Sequence, residues 1–201
     1  LAPENPHPAA LEDALSSFDA LLNMGYPAHK IVVSGDSAGG SLALALCLKL
    51  KELNRAQPGG LCLSSPMADP NLEGNTLAIL SKLDPMIRKP WLEQGGQWAE
   101  LDQARPYFYP LEGSLSGLPP MQIQVGEQEI LLSDSIRLAE KALQDGVEAT
   151  LQVFERRWHV FHLQAASLSS AKGALEAQAN FANACLAREH QTSKYSEALA
   201  A

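Results

Sequence analysis

Lys30-Ile-Val-Val-Ser34, Gly35-Asp-Ser-Ala-Gly-Gly40 and Ser41-Leu-Ala-Leu-Ala-Leu-Cys-Leu-Lys49 follow one another without a break. The first stretch is a short β-branched run bounded by turn residues, which predicts a buried parallel strand. The third is a strong helix former. Ser37 stands between them at the centre of a G-x-S-x-G pattern. A strand that turns abruptly into a helix forces the residue at the turn into strained backbone angles. Gly35 and Gly39, two positions before and after, are expected to remove side-chain clashes and leave the serine oxygen exposed. The following helix aims its first N–H groups at any negative charge that develops there. The pattern nominates Ser37 as a nucleophile, and a phosphate-binding turn is the bland alternative for a glycine-rich strand–helix junction.

Working outward, Leu11, Ala14, Leu15, Phe18 and Leu22 recur at helical spacing, predicting an amphipathic helix over Ala9 to Asn23 that Gly25 and Pro27 stop. Downstream, Leu61–Ser64 reads as the next strand. The stretch from Pro66 to Pro120 is rich in Pro and Gly and reads as an insertion, with a helix expected near Pro90 to Leu101. Met121–Val125 predicts a strand, Ser133–Gln144 a helix and Ala149–Phe154 a strand. A last helix is expected from near Phe161 to about Glu189. This alternation predicts an α/β fold, a mostly parallel sheet with helices on both faces. Four strands make a small sheet for such a fold.

Composition narrows the function classes. The 201 residues are 46% hydrophobic and 19% charged, which suits a packed domain. A formal net charge of -8 argues against a nucleic-acid-binding surface. Cys47, Cys62 and Cys185 are scattered and odd in number, which argues against a disulfide framework. Asp36 interrupts the apolar region from Ile31 to Leu48, so no membrane span is expected. The opening Leu1-Ala-Pro-Glu-Asn-Pro has no charged or apolar leader pattern, and the expectation is a cytoplasmic protein.

A serine needs a base to take its proton. Of five histidines, His7 and His29 precede the strand–turn–helix and His190 lies near the tail, whereas His159 and His162 follow the strand ending at Phe154. A loop at the carboxyl end of a parallel strand is where such sheets place their sites. His159 leaves the strand first and is the preferred base; His162 falls where the last helix starts. In chymotrypsin-like proteases, where Gly-Asp-Ser also occurs, histidine and aspartate precede the serine, the reverse of the order here. An acid is needed to orient the histidine. Glu127 and Glu129 both lie in the loop after Val125, and the residues alone do not choose between them. Asp134 falls in the first turn of the next helix, where an acid is expected for dipole reasons alone.

Four stretches together resemble the bacterial hormone-sensitive-lipase-like esterases of the α/β-hydrolase fold. They are the opening Leu1 to Asp13, the motif Gly35-Asp-Ser-Ala-Gly-Gly40, Leu118-Pro-Pro-Met-Gln-Ile-Gln-Val-Gly126 with Glu129-Ile-Leu, and His159-Val-Phe-His162. The resemblance implies Ser37 as nucleophile, Glu129 as acid, His159 as base and Ala38 as an oxyanion donor, with Gly35, Asp36, Gly39 and Gly40 shaping the elbow. Ser133 stands where the family often has an acid, and Arg156-Arg157-Trp158 is bulkier and more charged than its usual turn. The implied function is hydrolysis of carboxylic esters of small to medium acyl chains, without metal or cofactor. An amidase or peptidase, and a non-catalytic small-molecule binder of the same fold, are the alternatives. The resemblance also implies that a glycine-rich oxyanion loop, the first strands and a cap lie upstream of Leu1, making residues 1–201 a partial catalytic domain. A homodimer through Ala149–Phe154 and the last helix is expected.

Overall fold

A computed structural model describes residues 1–188, and the expected helix end at Glu189 and His190 lie outside the described residues. The amphipathic stretch forms α1, Ala9–Asn23, burying Leu11 and Phe18. A single 3-10 turn, Ala28–Lys30, leads into β1, Val32–Asp36. Then follow α2, Ala38–Glu52, and β2, Gly60–Ser64. The insertion carries α3, a single turn at Thr76–Ile79, and α4, Lys89–Trp98. β3, Met121–Gly126, α5, Leu132–Gln144, β4, Ala149–Phe154, and α6, Ser169–Ala187, complete the order.

Among the described residues there are four strands, all parallel and in chain order, β1-β2-β3-β4. Every residue of β2 and β3 is buried, because helices cover both faces of these central strands. On one face Leu61, Leu63, Met121 and Ile123 pack against Leu44 and Cys47 of α2 and Leu138 and Ala142 of α5. On the other face α6 lies across β1, β2 and β3. α1 packs outside α2. All three cysteines are buried and free. Among the described residues no helix is long and apolar enough to cross a membrane.

Three sequence expectations shift. The strand expected at Lys30–Ser34 runs instead over Val32–Asp36, because the turn after Pro27 takes up Lys30 and because Gly35 and Asp36 still pair with Leu63 and Ser64. The expected helix from Phe161 is broken. Val160 is left-handed (φ 49), a 3-10 turn at Phe161–Gln164 follows, and Leu168 is extended before α6 begins. That turn drives the fully buried Phe161 against Phe154, Ala171 and Ala174, a burial a continuous helix would forfeit. In the insertion, left-handed Glu100 separates α4 from a 3-10 turn at Leu101–Gln103.

The glycines around Ser37 are not equivalent. A Cβ on Gly35 would fall onto the Gly39 carbonyl, and one on Gly40 would lie 2.8 Å from Pro66 Cβ. A Cβ on Gly39 would meet nothing within 4 Å, so the expected clash at that position does not exist. Gly35→Ala and Gly40→Ala should therefore each cost about 1–3 kcal/mol in urea unfolding of the full-length polypeptide. Gly39→Ala, inside the first turn of α2, should stay within about 0.5 kcal/mol of the parent. Equal losses at all three positions would contradict this assignment.

Candidate active site

Ser37 holds φ 51 and ψ -118, a conformation that only fixed surroundings maintain in a residue with a side chain. Its N–H donates to the Ser64 carbonyl (2.9 Å), and its own carbonyl accepts from Met67 N–H (3.2 Å). The Ser41 hydroxyl donates to the Met67 carbonyl (2.5 Å), tying the start of α2 to the same loop. Ala38 opens α2, so its N–H is among the first-turn donors without an intrahelical acceptor.

The carboxyl ends of the other strands bring the remaining candidates to this point. His159, in the loop after β4, places Nε2 2.9 Å from Ser37 Oγ. Its Nδ1 lies 3.5 Å from Glu129 Oε2, which comes from the loop after β3. This approach has room to shorten when an imidazolium forms. Glu129 is fully buried and its Oε2 also accepts the Ser65 hydroxyl (2.8 Å). Burial pushes the Glu129 carboxyl above its ordinary value; the facing His159 ring and the Ser65 hydroxyl pull it back, and neighbouring Asp84 adds to the rise. Asp84, itself buried, accepts N–H groups from Met86 and Ile87 on one oxygen and from Ile130 on the other.

The remaining candidates point elsewhere. Glu127 is exposed and accepts the Arg156 N–H (2.9 Å), bracing the histidine loop from its outer side. His162 is buried, with Nε2 3.0 Å from Gln124 Oε1, and burial depresses it to about 4, so it stays neutral under ordinary conditions. His29 lies in the turn before β1, and His7 packs edge-on against Phe108. Arg157 donates to Ser170 Oγ (2.6 Å), so the charged turn ties the loop to α6. Asp134 departs from expectation. It is fully buried, and its Oδ2 accepts both Ala68 and Asp69 N–H groups at 3.0 Å. It anchors the loop after β2, with burial pushing it up to about 7. The contacts of Ser65, Asp84 and Asp134 were illegible in sequence, since neither a Ser or Asp in a loop nor an Asp in the first turn of a helix carries a spacing signal for them.

A cavity of about 630 Å³ opens beside Ser37, lined mainly by apolar groups that include Leu42, Met67, Trp91, Leu92 and Phe108. A parallel sheet with a strained serine turn after one strand, an acid after the next but one and a histidine after the last defines an α/β hydrolase.

The comparisons agree with that class. A profile of the alpha/beta hydrolase fold matches residues 1–163, and the chain belongs to this family. It is 39% identical to an esterase of Acinetobacter venetianus, over 90% of this chain and 61% of that protein. An acetyl-hydrolase of Streptomyces hygroscopicus is 33% identical, over 89% and 60% of the two chains. A crystal structure of an esterase from the bacterial hormone-sensitive lipase family superposes with a TM-score of 0.89 at 32% identity, covering 92% of this chain and 63% of that one. The resemblance seen in four stretches thus extends over most of the chain. The chain spans about 60% of the length of these relatives.

Two buried groups set opposite pH dependences. Between 6.5 and about 4 the unfolded chain binds a proton on His162 that the folded chain refuses, so stability falls as pH drops through that window. Between 3.8 and about 7 folded Asp134 keeps a proton that the unfolded chain releases, so stability falls as pH rises. Asp134→Asn keeps an acceptor for the two N–H groups and abolishes the ionisation. It should unfold roughly 1–3 kcal/mol later than the parent near pH 8 and gain nothing near pH 4. Denaturant titrations at the two pH values check this; a variant no better at high pH would mean that burial does not raise the Asp134 carboxyl.

Proposed function

We propose that the full-length protein hydrolyses carboxylic esters through an acyl-enzyme, with Ser37 as nucleophile, His159 as general base and Glu129 as the acid that orients it. The observation that carries this reading is the 2.9 Å contact between Ser37 Oγ and His159 Nε2, with Glu129 on the opposite side of the ring. His159 takes the Ser37 proton as Oγ attacks the ester carbonyl carbon. The carbonyl oxygen gains the electron pair and is stabilised by donors that include the Ala38 N–H. His159 then gives its proton to the departing alkoxide, leaving Ser37 acylated. A water, deprotonated by His159, attacks the acyl carbon, and collapse releases the carboxylic acid and restores Ser37. Glu129 stays ionised throughout and stabilises the imidazolium. Every step uses side chains and backbone of the polypeptide, so the reading calls on no metal or cofactor.

The apolar lining of the cavity beside Ser37 fits small to medium acyl chains. The relatives described as an esterase and an acetyl-hydrolase point the same way. We further propose that residues 1–201 are part of a larger catalytic domain, a reading supported by the relatives' greater length and by the outer edge of β1, which pairs with no strand among the described residues. An upstream segment would pair with that edge and supply further oxyanion donors. The outer edge of β4 is likewise unpaired among the described residues and shows Val153 47% exposed, which supports a homodimer through β4 and α6.

Stoichiometric organophosphonate labelling of Ser37, with turnover of short nitrophenyl esters but not anilides, tests the reaction class. Ser37→Ala and His159→Ala should each lower kcat by several orders of magnitude, with little further loss in the double variant. Glu129→Gln should cost at least about a hundredfold, and Glu127→Gln should not. Rapid anilide cleavage would instead favour an amidase. Residues 1–201 expressed alone should aggregate and turn over poorly, since each missing oxyanion donor is worth about 3 kcal/mol. Light scattering of the full-length protein at micromolar concentration should report a dimer, and a monomer would reject the interface.

A further inference from the structure

We propose that Ser65 is a positioning residue that locks the acid and the base of the site in register; the proposal rests on the reading of Glu129 and His159 given above. Ser65 follows β2 with φ 49, is fully buried, and extends the β2–β3 ladder through its N–H to the Gln124 carbonyl (2.7 Å). Its hydroxyl makes two bonds of fixed sense. The Val160 N–H can only donate, so Oγ accepts from it at 3.2 Å, and the Ser65 proton is left for Glu129 Oε2 at 2.8 Å. Val160 adjoins His159, and Oε2 is the oxygen that faces His159 Nδ1. One hydroxyl therefore spans the two loops whose separation sets the acid–base distance.

The other Glu129 oxygen, Oε1, finds no partner among the described residues, so the Ser65 hydroxyl is the neutral donor that fixes the rotation of this carboxylate. The ionisable groups facing Glu129 are His159 and Asp84. Deleting the hydroxyl leaves the carboxylate free to turn and the buried Val160 N–H without its acceptor. It also removes one of the influences holding the Glu129 carboxyl down, so the acid needs a higher pH to ionise.

Glycine makes the decisive variant. At φ 49 it relieves backbone strain while removing the hydroxyl, whereas Ser65→Ala removes the hydroxyl and keeps the strain. In the full-length protein, Ser65→Gly, in which the strain relieved at φ 49 offsets the lost Val160 bond, should keep the parental melting temperature and KM yet lose about 10–100-fold in kcat. The acid limb of its kcat profile should move to higher pH, and the low-field proton resonance of His159 Nδ1–H should shift or broaden. Ser65→Ala should show the same kinetic signature. A glycine variant with parental kcat and acid limb overturns the proposal. So does one whose stability falls together with its activity, because Ser65 would then be structural. Organophosphonate labelling of the parent separates the two readings. An unlabelled parent overturns the nucleophile assignment and this proposal with it, whereas with a labelled, active parent the Ser65 variants alone decide.

Discussion

The strained backbone of Ser37 is the constraint on which the site depends. A serine at φ 51 keeps that angle because the Ser64 carbonyl and the Met67 N–H grip it from the end of β2. That grip requires the β1–β2 register that sets Asp36 opposite Ser64. It also requires close passage of Pro66 beside α2, which Gly40 permits. The sheet register, the glycine pattern and the placement of the Ser37 hydroxyl are one arrangement seen at three scales.

The segment Ser64–Met67 is accordingly more than a loop after a strand. Ser64 and Met67 hold the nucleophile candidate, and Ser65 touches both Glu129 and the loop that carries His159. Behind it, Asp134 clamps the next residues, Ala68 and Asp69, from the start of α5, and Arg137 pairs with Asp69. Glu129, Asp84, Asp69 and Asp134 thus crowd carboxyls around one junction of the fold; Asp84, Asp69 and Asp134 accept backbone N–H groups, whereas Glu129 accepts the Ser65 hydroxyl. Buried, hydrogen-bonded carboxylates position loops firmly, at the expense of raised proton affinity where burial outweighs the bonds, as at Asp134 and Glu129.

The two histidines after β4 show how environment separates roles. His159 meets a hydroxyl on one ring nitrogen and a carboxylate on the other. His162, three residues on, meets the Gln124 amide in an apolar setting beside Phe154 and Phe161, which disfavours its charged form. One sits where a proton can be exchanged; the other pins the turn that ends the loop.

The alternation of elements, the parallel sheet and the strand–turn–helix at Ser37 were legible in sequence, because hydrophobic period and glycine spacing are local properties. The preference for His159 over His162 also rested on a local fact, its distance from the strand end. Residue type alone left Glu127 and Glu129 open, and the resemblance to known esterases favoured Glu129; the structure puts Glu129 beside His159 because the loop after β3 turns it inward under Ser65 while Glu127 faces outward to Arg156. The break between Phe161 and Ser169, the indifference of Gly39 to a side chain, and the roles of Ser65, Asp84 and Asp134 were decided only by tertiary structure. Each depends on which distant backbone passes within hydrogen-bond or van der Waals reach, and no pattern along the chain encodes that distance.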